Sequence, residues 1–207
     1  GIAKREGQDA ADVYMVGNIL IDTLRYNRSR LRCPEIANQL QLKGKDYLLL
    51  TINRKAIINN QEKLTSIIET ICKSANGVPV IAPLRESASK AISHLALTYP
   101  NLHVIAPLSY LEFGYMSEKA KGIITDSGNV AEEATFYSVP CITLNNFTEH
   151  LETVNIGSNV LVGEDINKLS LYVSELISGN WKKCALPDRW DGRTAERIIR
   201  ILLEKEL

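Results

Sequence analysis

The sequence lacks the short motifs that identify several large enzyme classes. It has no GxxxxGK loop followed by Ser or Thr, no GxGxxG fingerprint and no Ser-His-Asp order. Its only histidines are His94, His103 and His150. Its four cysteines, none in a CxxC pair, are Cys33, Cys72, Cys141 and Cys184. We therefore expect no disulfides, no zinc or other metal site and no cofactor.

Long runs of one charge or of apolar residues are also missing. Lys and Arg number 24, as do Asp and Glu, so the net charge is zero, which argues against a nucleic-acid surface. No signal peptide or membrane-length apolar stretch is present, so we expect a cytoplasmic protein with no membrane partner. The 207 residues, 45% of them hydrophobic, suffice for a full core. Because the chain begins with Gly, we expect it to be part of a longer protein.

Predicted strands and helices alternate along nearly the whole chain. The apolar runs that predict strands are 13–17, 46–51, 78–82, 102–105, 123–125, 140–144 and 159–162. Helical spacing or capping residues predict helices at 19–28, 33–40, 60–75, 87–99, 110–119, after 128, at 166–177 and at 193–206. Such alternation predicts an α/β fold, a Rossmann-like parallel sheet with helices on both faces. Ligands of such folds bind beyond the carboxyl ends of the strands.

One stretch, residues 123–134, runs from strand through a small polar turn into a helix. Ser127, Gly128 and Asn129 let the backbone approach a ligand, and the helix start offers amides and a positive dipole end, so we predict a phosphate site. Asn129 as N-cap with Glu132 would form a capping box. Glu133 points about 100° further round the helix and has no such role. The two hydroxyls of a ribose would be suitable hydrogen-bond donors to this carboxylate.

Four further side chains follow predicted strands, and each has two interpretations. Arg54, like Arg85, either pairs with phosphate oxygens or is an ordinary surface residue. Phe113 either stacks on a base or packs beneath its helix. His150 lies between two glutamates in a loop, where it either meets a ligand or pairs with a neighbour.

Short matches to a known family recur in register from about Glu6 to the C-terminus. They comprise Val16-Gly17-Asn18 with Asp22, Thr51 with Arg54, Leu108 with Tyr110-Leu111 and Phe113, residues 125–128 with Glu132-Glu133, Val139-Pro140, Thr148-Glu149 with Glu152, Gly157 with residues 161–163, and Asp191-Gly192 with residues 195–198. This series resembles the UDP-N-acetylglucosamine 2-epimerases.

The resemblance implies the C-terminal half of a two-domain GT-B-type fold that binds UDP or a UDP-N-acetylhexosamine. Residues 1–45 would be the tail of the first half and connecting helices, 46–190 the UDP-binding domain, and 191–207 a helix packing back toward the first half. The full-length protein is expected to be a homodimeric isomerase of cell-surface polysaccharide biosynthesis. Its reaction inverts C2 of the sugar by elimination and re-addition of UDP, with the catalytic carboxylates mostly in the first half.

The resemblance also implies roles for individual residues. Ser127, Gly128 and Asn129 would bind the diphosphate, Glu133 the ribose, and Leu108 and Phe113 would flank the uracil. Arg54 and His150 complete the implied UDP-binding set.

Two departures from the family pattern bear on activity. Asn53 stands where the family has a functional His, and Ala56 where it has a Glu; His150 replaces an Arg. A hydrogen bond from a charged donor to a phosphate is roughly twice as strong as one from a neutral donor, so Asn53 would bind a phosphate more weakly than the family His. Two alternatives therefore stay open, a non-catalytic UDP-sugar-binding module and half of a GT-B glycosyltransferase. We expect this chain alone to be inactive.

Overall fold

The structure, a computed structural model, describes residues 13–42, 44 and 46–205. The strands are β1 (Leu48–Thr51), β2 (Val80–Pro83), β3 (Leu102–Ile105), β4 (Gly122–Thr125), β5 (Cys141–Thr143) and β6 (Asn159–Leu161). The α-helices of the described residues are α1 (Ile19–Asn27), α2 (Glu35–Gln39), α3 (Lys55–Ile58), α4 (Gln61–Ser74), α5 (Glu86–Thr98), α6 (Tyr110–Lys119), α7 (Gly128–Phe136), α8 (Leu151–Asn155), α9 (Ile166–Ser178) and α10 (Thr194–Lys205). A 3₁₀ turn spans Arg28–Arg30.

The six strands form one parallel sheet in the order β3-β2-β1-β4-β5-β6. The strand order changes direction between β1 and β4, where Thr51 pairs with Thr125 at the carboxyl ends. In open sheets of this kind, that change of direction opens a crevice for ligands. The predicted Rossmann-like α/β fold is therefore confirmed, and the crevice lies beyond Thr51 and Thr125.

The central strands are buried on both faces, which explains their continuous apolar sequence. Leu48 and Leu50 of β1 join a core cluster with helices α4, α5 and α9 on one face. Leu49, between them, packs on the other face with residues of α6 and α7 such as Met116 and Ala131.

Helix α4 follows its predicted pattern. The spaced apolar residues from Leu64 to Cys72 are buried, and the Asn60 side chain caps the start by accepting from the amide of Lys63 at 3.0 Å. Asn76 and Gly77 then end the helical run with positive φ angles of 48° and 82°.

Two predictions about local structure need correction. Residues 13–17 form no strand, although their sequence is apolar; Val13, Tyr14 and Met15 are exposed. The short helices α3 and α8 were not predicted, because segments of four and five residues carry too little periodicity to identify. The remaining predicted strands and helices are present with ends shifted by one or two residues. Glu206, the predicted end of the last helix, lies outside the described residues.

The chain divides into two compact units, one of residues 28–187 and one joining the described residues up to Asn27 with those from Asp188 onward. In the second unit, the Asp22 carboxylate accepts from the amides of Thr194 and Ala195 at 3.1 and 2.8 Å, capping α10. Arg197 of α10 pairs with Asp191. None of the described helices has the length and apolarity needed to cross a membrane.

Candidate functional site

The ends of β1 and β4 are joined by side-chain hydrogen bonds. The hydroxyls of Thr51 and Thr125 lie 2.7 Å apart and are buried. Just beyond them, Asp126 Oδ2 accepts from the backbone amides of Asn53 and Arg54, both at 2.7 Å. Asp126 is only 6% exposed, and its Oδ1 has no hydrogen-bond partner among the described residues. The loops that leave β1 and β4 are thus held together beside the crevice.

The turn after β4 places a helix start at this crevice. Helix α7 begins at Gly128 with Ser127 as N-cap, and the Ser127 amide donates to Thr125 Oγ1 at 3.0 Å. The Ser127 side chain makes no capping hydrogen bond. The amides of the first turn of a helix have no acceptor within it, so they remain suited to an anion.

The predicted capping box of Asn129 and Glu132 is wrong. The helix starts at Gly128, so Asn129 already lies inside it rather than at its N-cap. Glu132 is 4% exposed, and its Oε1 lies 3.2 Å from His150 Nδ1. The carboxylate therefore contacts His150, in the loop after β5.

A cleft of about 420 Å³ lies in front of α7. It is lined by Arg54, Asp126, Gly128, Asn129 and the six residues of the loop 145–150. Its rear wall is fixed by hydrogen bonds. The Arg54 guanidinium donates to Asn145 Oδ1 at 2.8 Å and to Leu144 O at 3.4 Å, and Asn145 Nδ2 donates to Asp126 O at 3.2 Å.

Gly128 allows His150 to reach the helix start. A Cβ at position 128 would lie 3.2 Å from His150 Cδ2 and 3.6 Å from Nε2, so any larger residue would crowd the ring. The ring edge bearing Nε2 faces Gly128, while Nδ1 faces Glu132. His150 therefore pairs with Glu132 of α7, a partner that the sequence did not suggest, and also borders the cleft.

Glu133 is a buried carboxyl with an altered acidity. It is 9% exposed, and burial, with the charge of Glu132 as a smaller cause, raises its pKa to about 7. Burial raises the pKa of Tyr110, at the start of α6, and the charge of Glu133 adds to this rise. Glu133 thus lies close to the helix that carries Phe113.

The structure brings Arg54, Gly128, Asn129 and His150 together at the cleft. Ser127 and Glu133 adjoin it on α7 without belonging to its lining. Leu108 and Phe113 are half-buried and pack against the core beneath α6 and α7, which favours the packing interpretation of Phe113 for part of its surface.

Asn53 and Arg85 border a different cavity. Asn53 donates its backbone amide to Asp126 and has an exposed side chain. Together with Lys55 and Arg85 it lines a neighbouring cavity of about 350 Å³. Arg85 is therefore not part of the cleft in front of α7.

Six residues of the cleft were not among the predicted site residues, and two of them, Asp126 and Asn145, form hydrogen bonds that fix its rear wall. Asp126 and Asn145 each follow a strand end directly, a position that the sequence shows, but their roles depend on partners 72 and 19 residues away along the chain. Only the pairing of β1, β4 and β5 brings those partners into reach.

Comparisons with known proteins agree on the family that this chain resembles. A family model described as UDP-N-acetylglucosamine 2-epimerase matches residues 4–203. The UDP-N-acetylglucosamine 2-epimerase of Methanocaldococcus jannaschii is 33% identical over 211 residues, covering 96% of this chain and 56% of the relative. The UDP-2,3-diacetamido-2,3-dideoxy-D-glucuronate 2-epimerase of Pseudomonas aeruginosa is 34% identical over 164 residues, covering 77% and 45%.

Solved structures show the same similarity. The crystal structure of the Methanocaldococcus jannaschii UDP-GlcNAc 2-epimerase in complex with UDP-GlcNAc and UDP has a TM-score of 0.78 at 32% identity, over 97% of this chain and 57% of that one. An Escherichia coli heptosyltransferase, with a TM-score of 0.51 at 14% identity over 86% of this chain and 53% of its own, shares the fold alone. The chain spans about half the length of the curated relatives it matches.

Proposed function

Because this chain belongs to the UDP-N-acetylglucosamine 2-epimerase family, we propose that it is the nucleotide-binding half of an enzyme that converts UDP-N-acetylglucosamine to UDP-N-acetylmannosamine. The reaction would proceed by elimination and re-addition of UDP. One observation carries the proposal: a cleft at the change of strand order, in which a helix start, Arg54 and His150 converge.

The diphosphate is the part of the substrate that this cleft suits best. The first-turn amides of Gly128 and Asn129 provide donors at the positive end of the helix dipole, and the Ser127 hydroxyl, which makes no capping hydrogen bond, would add another. Arg54 adds a fixed positive charge, already oriented by Asn145. His150 occupies the position of a family Arg, so it would supply the second cationic or donor group at the cleft rim.

The nucleoside would lie between α7 and α6. The buried carboxylate of Glu133 would accept hydrogen bonds from the ribose hydroxyls, which would offset its loss of solvation. Leu108 and Phe113, whose surfaces are only partly covered by the core, would flank the uracil. The influence of Glu133 on Tyr110 supports this placement, since it puts the carboxylate near the start of α6.

The segments outside the UDP-binding domain would link it to the other half of the enzyme. We propose that 1–45 and 191–207 connect to an N-terminal half and that 46–190 is the UDP-binding domain. Helix α10 supports this, because its Ile199, Leu202 and Leu203 are 57–59% exposed and would be covered by that half. Homodimerisation, a cytoplasmic location and a role in cell-surface polysaccharide biosynthesis remain predictions of the same proposal.

A second candidate, a UDP-sugar-binding module without catalysis, is favoured by two residues. Asn53 is neutral where the family has His, and Ala56 cannot replace a carboxylate. The exposed Asn53 side chain can still donate a hydrogen bond but cannot carry charge.

Calorimetric titration of this chain with UDP, in EDTA, tests the nucleotide site. We expect binding that Ser127→Ala and Glu133→Ala each weaken at least tenfold, while Glu62→Ala, an exposed carboxylate on α4, leaves it unchanged. Equal affinity in all four proteins would contradict the assignment. Product analysis of the full-length protein with UDP-N-acetylglucosamine then decides the activity: a 2-epimer supports the enzyme, no product the binding module, and sugar transfer a glycosyltransferase.

A further inference from the structure

We propose that Glu132, His150 and Glu152 form a binding site for a divalent transition-metal cation beside the cleft. This site reverses our expectation from the sequence, in which 18 and 2 positions separate the three residues and no metal motif is visible. It does not depend on nucleotide binding, and it can be tested with the metal alone.

The three side chains already stand at nearly the spacing of metal ligands. One ligand atom from each residue lies within 4.8 Å of the other two. His150 Nδ1 and Glu132 Oε1 are 3.2 Å apart. Ligands bonded at about 2.0–2.2 Å to one ion, in tetrahedral or octahedral geometry, stand roughly 3.0–3.5 Å from each other. The His150 and Glu132 pair fits this range, and Glu152, whose ligand atom lies within 4.8 Å of both, would complete the set by moving toward them.

The supporting structure holds the ligands in place before any ion binds. Glu132 is buried on α7, and Gly128 confines the opposite edge of the His150 ring. Thr153 Oγ1 donates to His150 O at 2.8 Å, and the Gly157 amide donates to Glu152 O at 2.9 Å. The turn that carries His150 and Glu152 is therefore fixed relative to β6 and α7.

The charges of the cluster favour a cation. With a neutral imidazole, the two carboxylates place two negative charges within one small volume, and Glu132 is nearly excluded from solvent. Burying such charges is costly unless an ion or a hydrogen-bond donor compensates them. A divalent cation bound between them would interact favourably with both carboxylates, in addition to the contact that Glu132 already makes with His150.

A buried acceptor without a partner in the described part of the chain lies in the wall of the cleft that His150 borders. Asp126, which lines the cleft with His150, is nine-tenths buried, and its Oδ1 lacks a donor among the described residues. One imidazole nitrogen with carboxylate oxygens suits zinc, cobalt or manganese, whereas Mg²⁺ and Ca²⁺ prefer oxygen ligands alone. The set of Glu132, His150 and Glu152 thus suits a transition metal.

Cobalt(II) absorption spectroscopy on the metal-stripped chain tests this site. We expect one equivalent of Co²⁺ to give visible ligand-field bands without thiolate absorption in the near ultraviolet, and Mg²⁺ in tenfold excess not to displace it. His150→Ala and Glu152→Gln should each weaken Co²⁺ binding at least tenfold. Glu62→Gln, which removes an exposed carboxylate on α4 outside the cluster and the cleft, should leave it unchanged.

Several outcomes would overturn the proposal. They are no saturable Co²⁺ binding at 1 mM, equal binding in His150→Ala and Glu152→Gln, or thiolate bands that assign the ion to a cysteine. Circular dichroism melts of each variant establish that a loss of binding is not a loss of fold. The UDP titration in EDTA is separate, so a failure of the nucleotide site leaves the result for the metal site unaffected.

Discussion

Replacement of Glu133 by Gln should change stability in a manner that depends on pH. The Glu133 carboxyl has a pKa of about 7 in the folded chain against an ordinary value of 4.5, because burial and then the charge of Glu132 disfavour ionisation. The unfolded chain therefore releases this proton first as pH rises. Stability contributed by the protonated group is full below about pH 4.5 and is lost as pH rises through 7.

The size of the effect follows from the difference in pKa. A difference of 2.5 units corresponds to about 3 kcal/mol, most of which develops between pH 5 and pH 8. Gln has nearly the same shape and does not titrate. The free energy of unfolding of Glu133→Gln, relative to the original chain, should therefore rise by about 2 to 3 kcal/mol over that interval.

Urea unfolding followed by circular dichroism at pH 5, 6, 7 and 8 measures this difference. Glu62→Gln, an exposed glutamate on α4, is the matched control, and its difference from the original chain should stay constant with pH. If Glu133→Gln also gave a constant difference, the carboxyl would not be desolvated in the folded state and our account of its pKa would be refuted.

Three further predictions follow from the same structure. In EDTA, the affinity for UDP should fall as pH decreases below 7, and the decrease should approach tenfold per pH unit. The reason is that protonated Glu133 would no longer accept hydrogen bonds from two ribose hydroxyls. Calorimetry across pH 5–8 would give a constant affinity if Glu133 did not bind the ribose. Gly122→Ala should lower the unfolding free energy by about 1–3 kcal/mol, since its Cβ would overlap the Leu176 side chain, and an unchanged urea midpoint would contradict this. Of four thiols, only Cys33 and Cys184 should react with a thiol reagent before unfolding; four fast reactions would mean an open core.

Local pattern was sufficient for most of the fold. The run 46–51 predicted a strand covered on both faces, and β1 is buried along its whole length because helices cover the sheet on both faces. The spacing from Leu64 to Cys72 predicted α4 because a helix of fourteen residues repeats its pattern several times. The strand predicted from the apolar run 13–17 was wrong, since residues 13–15 are exposed and join no sheet in the described chain.

The candidate site was predictable in position but not in detail. A polar turn after the strand at 123–125 indicated the helix start, and α7 begins there. The contact between Glu132 and His150 was not predictable. The sequence pattern indicated that Glu132 caps its own helix, whereas the fold brings it to His150, eighteen residues further along the chain. The roles of Leu108, Phe113, Ser127 and Glu133 in binding UDP remain predictions that the proposed titrations test.

The hydrogen bonds of Asp126 also imply an order of events during folding. Its carboxylate accepts hydrogen bonds from the amides of Asn53 and Arg54, which lie more than seventy residues earlier in the chain. The rear wall of the cleft therefore cannot form until β4 has paired with β1. Closing a loop of that length is entropically costly and slow compared with forming a helix. Ligand capture should therefore appear only in the last phase of refolding, and it would report completion of the sheet rather than formation of α7.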